Sequence, residues 1–176
     1  MSTTVPHPIE TLDIETTRWR IDPARSSVQF RVPSLWGLTR VNGRFTRYHG
    51  TLSLSESRAV ELTIDANSLD THNFRRDKHL RSADFFDVEN HAQVRFVSDT
   101  VAVDGQRLTV RGQLVAAGKR IPLEVDVALR RDGDELLIDA TTQADHRRLG
   151  MTWSPLGIVR TPSELAIHGR LVPDAQ

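Results

Sequence analysis

Apolar and polar residues alternate along most of this chain, and a period of two marks strands with one face buried. SSVQFRV sets Val28, Phe30 and Val32 on one face and Gln29 and Arg31 on the other. TRVNGRFTRY repeats the pattern with Val41, Gly43 and Phe45 against Arg40, Asn42 and Arg44. GTLSL pairs Leu52 with Leu54, and RAVELTID aligns Val60, Leu62 and Ile64. In QVRFVSDTVAV, Val94 and Phe96 share one parity while Val101 and Val103 share the other, which predicts a bulge near Ser98 to Thr100. QRLTVRGQLV aligns Leu108, Val110, Gly112 and Leu114. RIPLEVDVALR is the most regular stretch, with Ile121, Leu123, Val125, Val127 and Leu129 on one face. ELLIDATTQ and SELAIHGRLV complete the set.

Turn signals separate these runs. Asp104-Gly105 and Asp132-Gly133 predict tight hairpins, the first read as a type I′ turn, and Ala117-Gly118-Lys119 predicts another. The pattern therefore gives eight or nine antiparallel strands joined mainly by short turns. Such a sheet closes into a barrel or folds into a sandwich. The long strands of the second half favour an all-β barrel of about eight strands, wide enough to hold one small ligand. Small residues at Gly43, Gly112 and Gly169 are expected to leave volume inside it.

One stretch breaks the alternation. From Asp65 to His91 the chain carries turn formers (Asn67, Ser68, Asp70, Asn73), dense charge, and bulky apolar residues at helix-like intervals. The expected structure is a short helical insertion around residues 68–87, packed as a flap on something apolar. Residues 1–17 lack periodicity and contain Pro6 and Pro8, so a loose arm is expected before a single domain over residues 18–173.

Composition narrows the function classes. Basic and acidic residues balance at 23 each, which gives no global field for nucleic acid or an anionic membrane. The absence of cysteine removes disulfides, thiol catalysis and cysteine-ligated zinc. No basic region followed by an apolar run opens the chain and no run is long enough to span a bilayer, so a cytoplasmic protein is expected. His72, His79 and His91 have no common zinc-binding spacing, and neither a metal nor a cofactor is expected. No G-x-S-x-G, P-loop or G-x-G-x-x-G motif is present.

Three stretches, IDPARSSVQF, IDANSLDT and RDKHLRSADFFD, occur in order and at fitting spacing. In these blocks the chain resembles the YceI-like family, from about Trp19 to about Leu171. The resemblance implies a lipocalin-like antiparallel barrel with a hydrophobic cavity that binds polyisoprenoid chains, such as isoprenoid quinones or prenyl diphosphates. Two departures stand out. Many relatives are exported. Where they often read histidine-glycine-valine-threonine-lysine-proline before the long strand, this chain reads VAAGKRIP, keeping the turn and Pro122 without the histidine and threonine.

The expected function is thus non-enzymatic binding or transport of a long apolar lipid. The wall is expected to use Phe30, Val32, Leu35, Trp36, Leu38, Phe45 and Phe96, with Met151 and Trp153. The flap is expected to contribute Leu69, Phe74, Leu80, Phe85 and Phe86. Arg75, Arg76 and Arg81 are candidates for a diphosphate headgroup, because guanidinium binds phosphate oxygens bidentately; the competing reading is a solvated face paired with Asp77 and Asp84. Two alternatives stand beside this one. The first is an enzyme acting on a small apolar substrate through flap acids (Asp77, Asp84, Asp87) or His79. The second is a filled barrel that serves only as a homodimer through a sheet edge.

Overall fold

The computed structural model describes residues 18–34, 39–151 and 162–174. Its strands are β1 (Arg18–Ile21), β2 (Ser27–Ser34), β3 (Thr39–Phe45), β4 (Tyr48–Ser53), β5 (Ala59–Asp65), β6 (Leu69–Asp70), β7 (Gln93–Asp104), β8 (Arg107–Ala116), β9 (Lys119–Asp132), β10 (Glu135–Ala144) and β11 (Ser163–Pro173). One α-helix, α1 (Phe74–Arg81), lies between β6 and β7. All pairings are antiparallel, in the order β1-β4-β5-β7-β8-β9-β10-β11, and β11 returns to β1. The result is a closed eight-strand barrel. β1 and β2 follow each other along one edge of β11: Leu171–Pro173 pair with β1 and Glu164–His168 pair with β2. β3 and β6 extend the wall beyond β2.

The alternating apolar positions face inward. β8 buries Leu108, Val110, Gly112 and Leu114, and β9 turns Ile121, Leu123 and Leu129 to the same interior. The expected bulge is present, because the β7–β8 register shifts between Ser98 and Thr100. It restores Val101 to the core, yet Val103, expected beside it, is exposed. The hairpins carry a smaller surprise. Asp104 pairs with Arg107, so the loop is Gly105-Gln106, with positive φ at Gly105 alone. That is the pattern of a type II′ turn, not the expected I′. Positive φ at both positions occurs instead at Ala117-Gly118.

The three glycines expected to leave volume do not. A Cβ at Gly43 would lie 2.2 Å from Phe30 Cζ, and one at Gly112 would lie 2.2 Å from Val97 O. At Gly169 a Cβ would lie 2.2 Å from Ser26 Oγ. Each glycine accepts a close neighbour. Hollowness comes from the diameter of the ring, not from missing side chains.

Trp19, Leu54, Val101 and Leu136 fill the end of the barrel that carries the Gly105 and Gly133 hairpins. A charged lattice lies on the same end. Arg25 donates to both oxygens of Glu135 at 3.0 and 2.6 Å and to Asp22 at 2.6 Å. Arg170 donates to Glu135 and Asp132 at 2.8 and 2.9 Å.

Candidate functional site

The interior of the barrel is a cavity of about 610 Å³. Strands from the whole ring supply its apolar wall, including Val28, Phe30, Val60, Leu62, Val110, Leu123, Ile138, Ala140 and Ile167. Its size lies within the roughly 300–1,000 Å³ usual for small-molecule sites. No helix of the described residues is long and apolar enough to cross a membrane, and none of their carboxylates and histidines cluster as a metal site would require.

The flap sits at the other end of the barrel from the charged lattice. β5 ends at Asp65, which pairs with Gln93 at the start of β7, and α1 lies in the connection between them. The helix starts where Asn73 Oδ1 accepts the Arg76 amide at 3.0 Å, an N-cap that fixes its phase. That phase turns Leu80 toward the cavity and leaves Phe74, the first helical residue, 80% exposed. Three anchors hold the flap. Ser68 Oγ accepts the amides of Thr46 and Arg47 at 3.2 and 3.0 Å. Arg81 donates to the carbonyls of Asn67 and Leu69 at 3.1 and 2.6 Å. Phe86 meets Phe45 edge-on at 5.8 Å, and Phe45 in turn packs on Phe30 at 5.3 Å.

Asp77 is buried, and its Oδ1 accepts both the amide and the hydroxyl of Thr71. Arg76 completes the group, donating from Nε to Thr71 Oγ1 and from Nη2 to the Thr71 carbonyl, each at 2.8 Å. The network satisfies the buried polar atoms where the chain turns into α1, and it commits Asp77 to structure. His79 borders the cavity, packs edge-on against Phe85 at 5.2 Å and lies 3.4 Å from Asp84.

A second polar group borders the cavity at this end. After β10, Asp145 accepts the Arg147 amide at 3.1 Å and opens a short 3₁₀ turn, His146–Leu149. Arg147 also donates from Nε and Nη2 to the two carboxylate oxygens of Asp145, at 2.9 and 3.0 Å. This pairing holds the Asp145 carboxyl below the usual carboxylate range. His146 Nδ1 lies 3.0 Å from Ser163 Oγ, and both side chains border the cavity. Burial lowers the pKa of His146 more than the nearby Asp145 charge raises it. The Ala117-Gly118 turn lies at the same end, with Gly118 against His91 and Lys119 beside Gly150.

The residues expected at the site divide as follows. Phe30, Val32, Phe45, Leu80, Phe85, Phe86, Phe96 and Met151 border the cavity. Leu69 is buried in the packed core, at 1% exposure, and does not border the cavity. Phe74 points to solvent, because the N-cap sets the helix phase that the sequence left open. Leu35, Trp36, Leu38 and Trp153 lie outside the described residues. Of the arginines, Arg76 borders the cavity, Arg75 is exposed, and Arg81 is occupied by backbone carbonyls. The wall residues of β8 to β11 were missing from the expected set, although their alternation marked them. His146, beyond the end of β10, carries no periodic signal, whereas Ser163 shares the parity of Leu165, Ile167 and Leu171 and is hidden only by being polar.

Comparison with known proteins places this architecture. A UPF0312 protein of Pectobacterium atrosepticum is 37% identical over 112 residues, which are 61% of this chain and 58% of the relative. Protein YceI of Salmonella arizonae is 36% identical over the same shares. The match thus spans 58% of the length of these curated relatives. Among solved structures, Burkholderia cenocepacia BcnA has a TM-score of 0.76 at 21% identity, covering 85% of this chain and 98% of that one. A polyisoprenoid binding domain from Saccharophagus degradans, implicated in plant cell wall breakdown, has a TM-score of 0.71 at 13% identity, covering 90% and 99%. These two likenesses concern the fold. The YceI-like domain model matches residues 19–171, and the chain belongs to that family.

Proposed function

We propose that this protein binds a long apolar chain inside its barrel and performs no chemistry on it, the ligand class being a polyisoprenoid such as an isoprenoid quinone. The observation that carries this reading is the cavity of about 610 Å³ with its apolar wall drawn from the whole ring. Removing apolar surface from water is worth about 25 cal/mol per Å², so a long hydrocarbon needs no polar contact to be held. Ordering the chain and the flap takes back part of that gain. The polyisoprenoid binding domain of similar fold supports the choice of ligand.

An enzyme in the same cavity has less support. Asp77, Asp84 and Asp87 do not border the interior, and Asp77 is committed to Thr71. A serine–histidine pair used as a nucleophile needs a third group to orient the imidazole. Asp145, the adjacent carboxylate, has both oxygens on Arg147. Solvent extraction of the purified protein followed by mass spectrometry tests the reading. Co-purifying isoprenoid lipid, or tight uptake of quinones or prenyl diphosphates by the stripped protein, is expected. Absence of both would refute it.

A further inference from the structure

Resting on that apolar-chain reading, we propose that His146 and Ser163 form a hydrogen-bonding station for an uncharged polar head, a hydroxyl, carbonyl or amide, on the bound chain. Both side chains border the cavity, and their 3.0 Å contact is set by the β10–β11 ladder, which ends at Ala144 opposite Ser163. The pair sits in a wall that is otherwise mainly apolar, so a ligand group placed against it meets hydrogen-bonding partners that most of the wall does not offer.

Either tautomer leaves the pair able to serve a ligand. With the Ser163 hydroxyl donating to Nδ1, the proton is on Nε2, which becomes a donor. With Nδ1–H donating to Oγ, Nε2 becomes an acceptor and the hydroxyl hydrogen is free to turn away. Among the described residues no hydrogen bond occupies Nε2. A ligand hydroxyl, which both donates and accepts, suits either arrangement. Burial favours the neutral imidazole over the charged one, which suits the station to dipoles more than to charge.

The cationic side chains that border the cavity, Arg76, His79 and Arg147, are already engaged, which argues against an anionic head. Arg147 uses Nε and Nη2 on Asp145. Arg76 uses Nε and Nη2 on Thr71, whose hydroxyl is itself held by buried Asp77. His79 faces Asp84. A diphosphate is bound well by bidentate, charge-assisted donors, and taking these would break existing pairs.

The test compares phytol, phytane and phytyl diphosphate, which share one branched chain, by displacement of a fluorescent fatty probe from the stripped full-length protein at mildly alkaline pH. The wild type is expected to bind phytol roughly tenfold more tightly than phytane, the size of one net hydrogen bond in a dry site. It is also expected to bind phytol more tightly than phytyl diphosphate. Ser163→Ala and His146→Leu should erase the advantage of phytol while phytane affinity stays within about twofold, with thermal unfolding used to verify the fold. Equal binding of phytol and phytane, an undiminished preference in Ser163→Ala, or tightest binding of the diphosphate would overturn this inference and leave the apolar cavity standing. Failure of phytane and phytol alike would overturn the cavity reading with it.

Discussion

Phe30 lies across Gly43 of the neighbouring strand, so close that a Cβ on the glycine would sit 2.2 Å from the ring's Cζ. The two are cross-strand partners, and a ring that covers a strand glycine fills the gap the missing side chain leaves. The same ring borders the cavity and packs on Phe45, which touches the flap through Phe86. Gly43→Ala should therefore destabilise the protein by about 1–3 kcal/mol, as overpacking does. The strand preference of alanine over glycine predicts the opposite sign. Urea unfolding reads the difference, and Phe30→Leu introduced with Gly43→Ala should recover part of the loss. A neutral or stabilising Gly43→Ala would show that the ring does not need that space.

Thr71 and Asp77 make the second prediction. Asp77→Ala leaves the buried amide and hydroxyl of Thr71 without their acceptor, while the two Arg76 hydrogen bonds to Thr71 keep their partners. Unsatisfied buried donors cost about 1–3 kcal/mol, and that cost falls on the flap. Hydrogen exchange should accelerate across α1 and the Ser68–Asp70 segment while β8 and β9 keep their protection. Uniform acceleration across the barrel would mean that the flap and the wall unfold together.

At the far end, the Arg25 hydrogen bonds, then those of Arg170, hold the Glu135 carboxyl below its ordinary value of 4.5. A carboxylate with a depressed folded pKa contributes stability that is present above its unfolded pKa. The contribution is lost as pH falls through the folded value. Wild type should thus melt higher than Glu135→Gln at neutral pH, by a margin that stays constant down to about pH 5 and then shrinks. Differential scanning calorimetry across that range measures it. A margin that grows with acid would reverse the assignment.

Much of the barrel was legible as period-two alternation, because each strand faces water on one side and an apolar interior on the other. Val28, Leu62, Leu114 and Leu129 all follow that rule. The bulge at Ser98 to Thr100 was legible too, since one extra residue must reverse parity. Where physics depended on three-dimensional neighbours, the pattern was silent. Phe74 and Leu80 lie six positions apart, about 120° round a helix, so both cannot face the interior, and the sequence does not say which one does; the structure turns Leu80 to the cavity and Phe74 to solvent. Gly43, Gly112 and Gly169 read as empty space because a sequence cannot reveal whose ring, carbonyl or hydroxyl occupies it. His146 and Ser163 are brought together by a ladder across 17 positions, a pairing that no local spacing encodes.

Ala140 offers the most direct test of the hollow interior. It is buried on β10 and borders the cavity, so a large side chain there grows into empty space and not into packed core. Calorimetric titration of stripped wild type and Ala140→Trp with phytol, alongside thermal unfolding of both, is the decisive measurement. Saturable binding by the wild type and its loss in a variant that melts at or above the wild-type temperature are the predicted results. Undiminished binding by a well-folded Ala140→Trp would contradict the account, because the ligand would then be held somewhere other than inside the barrel.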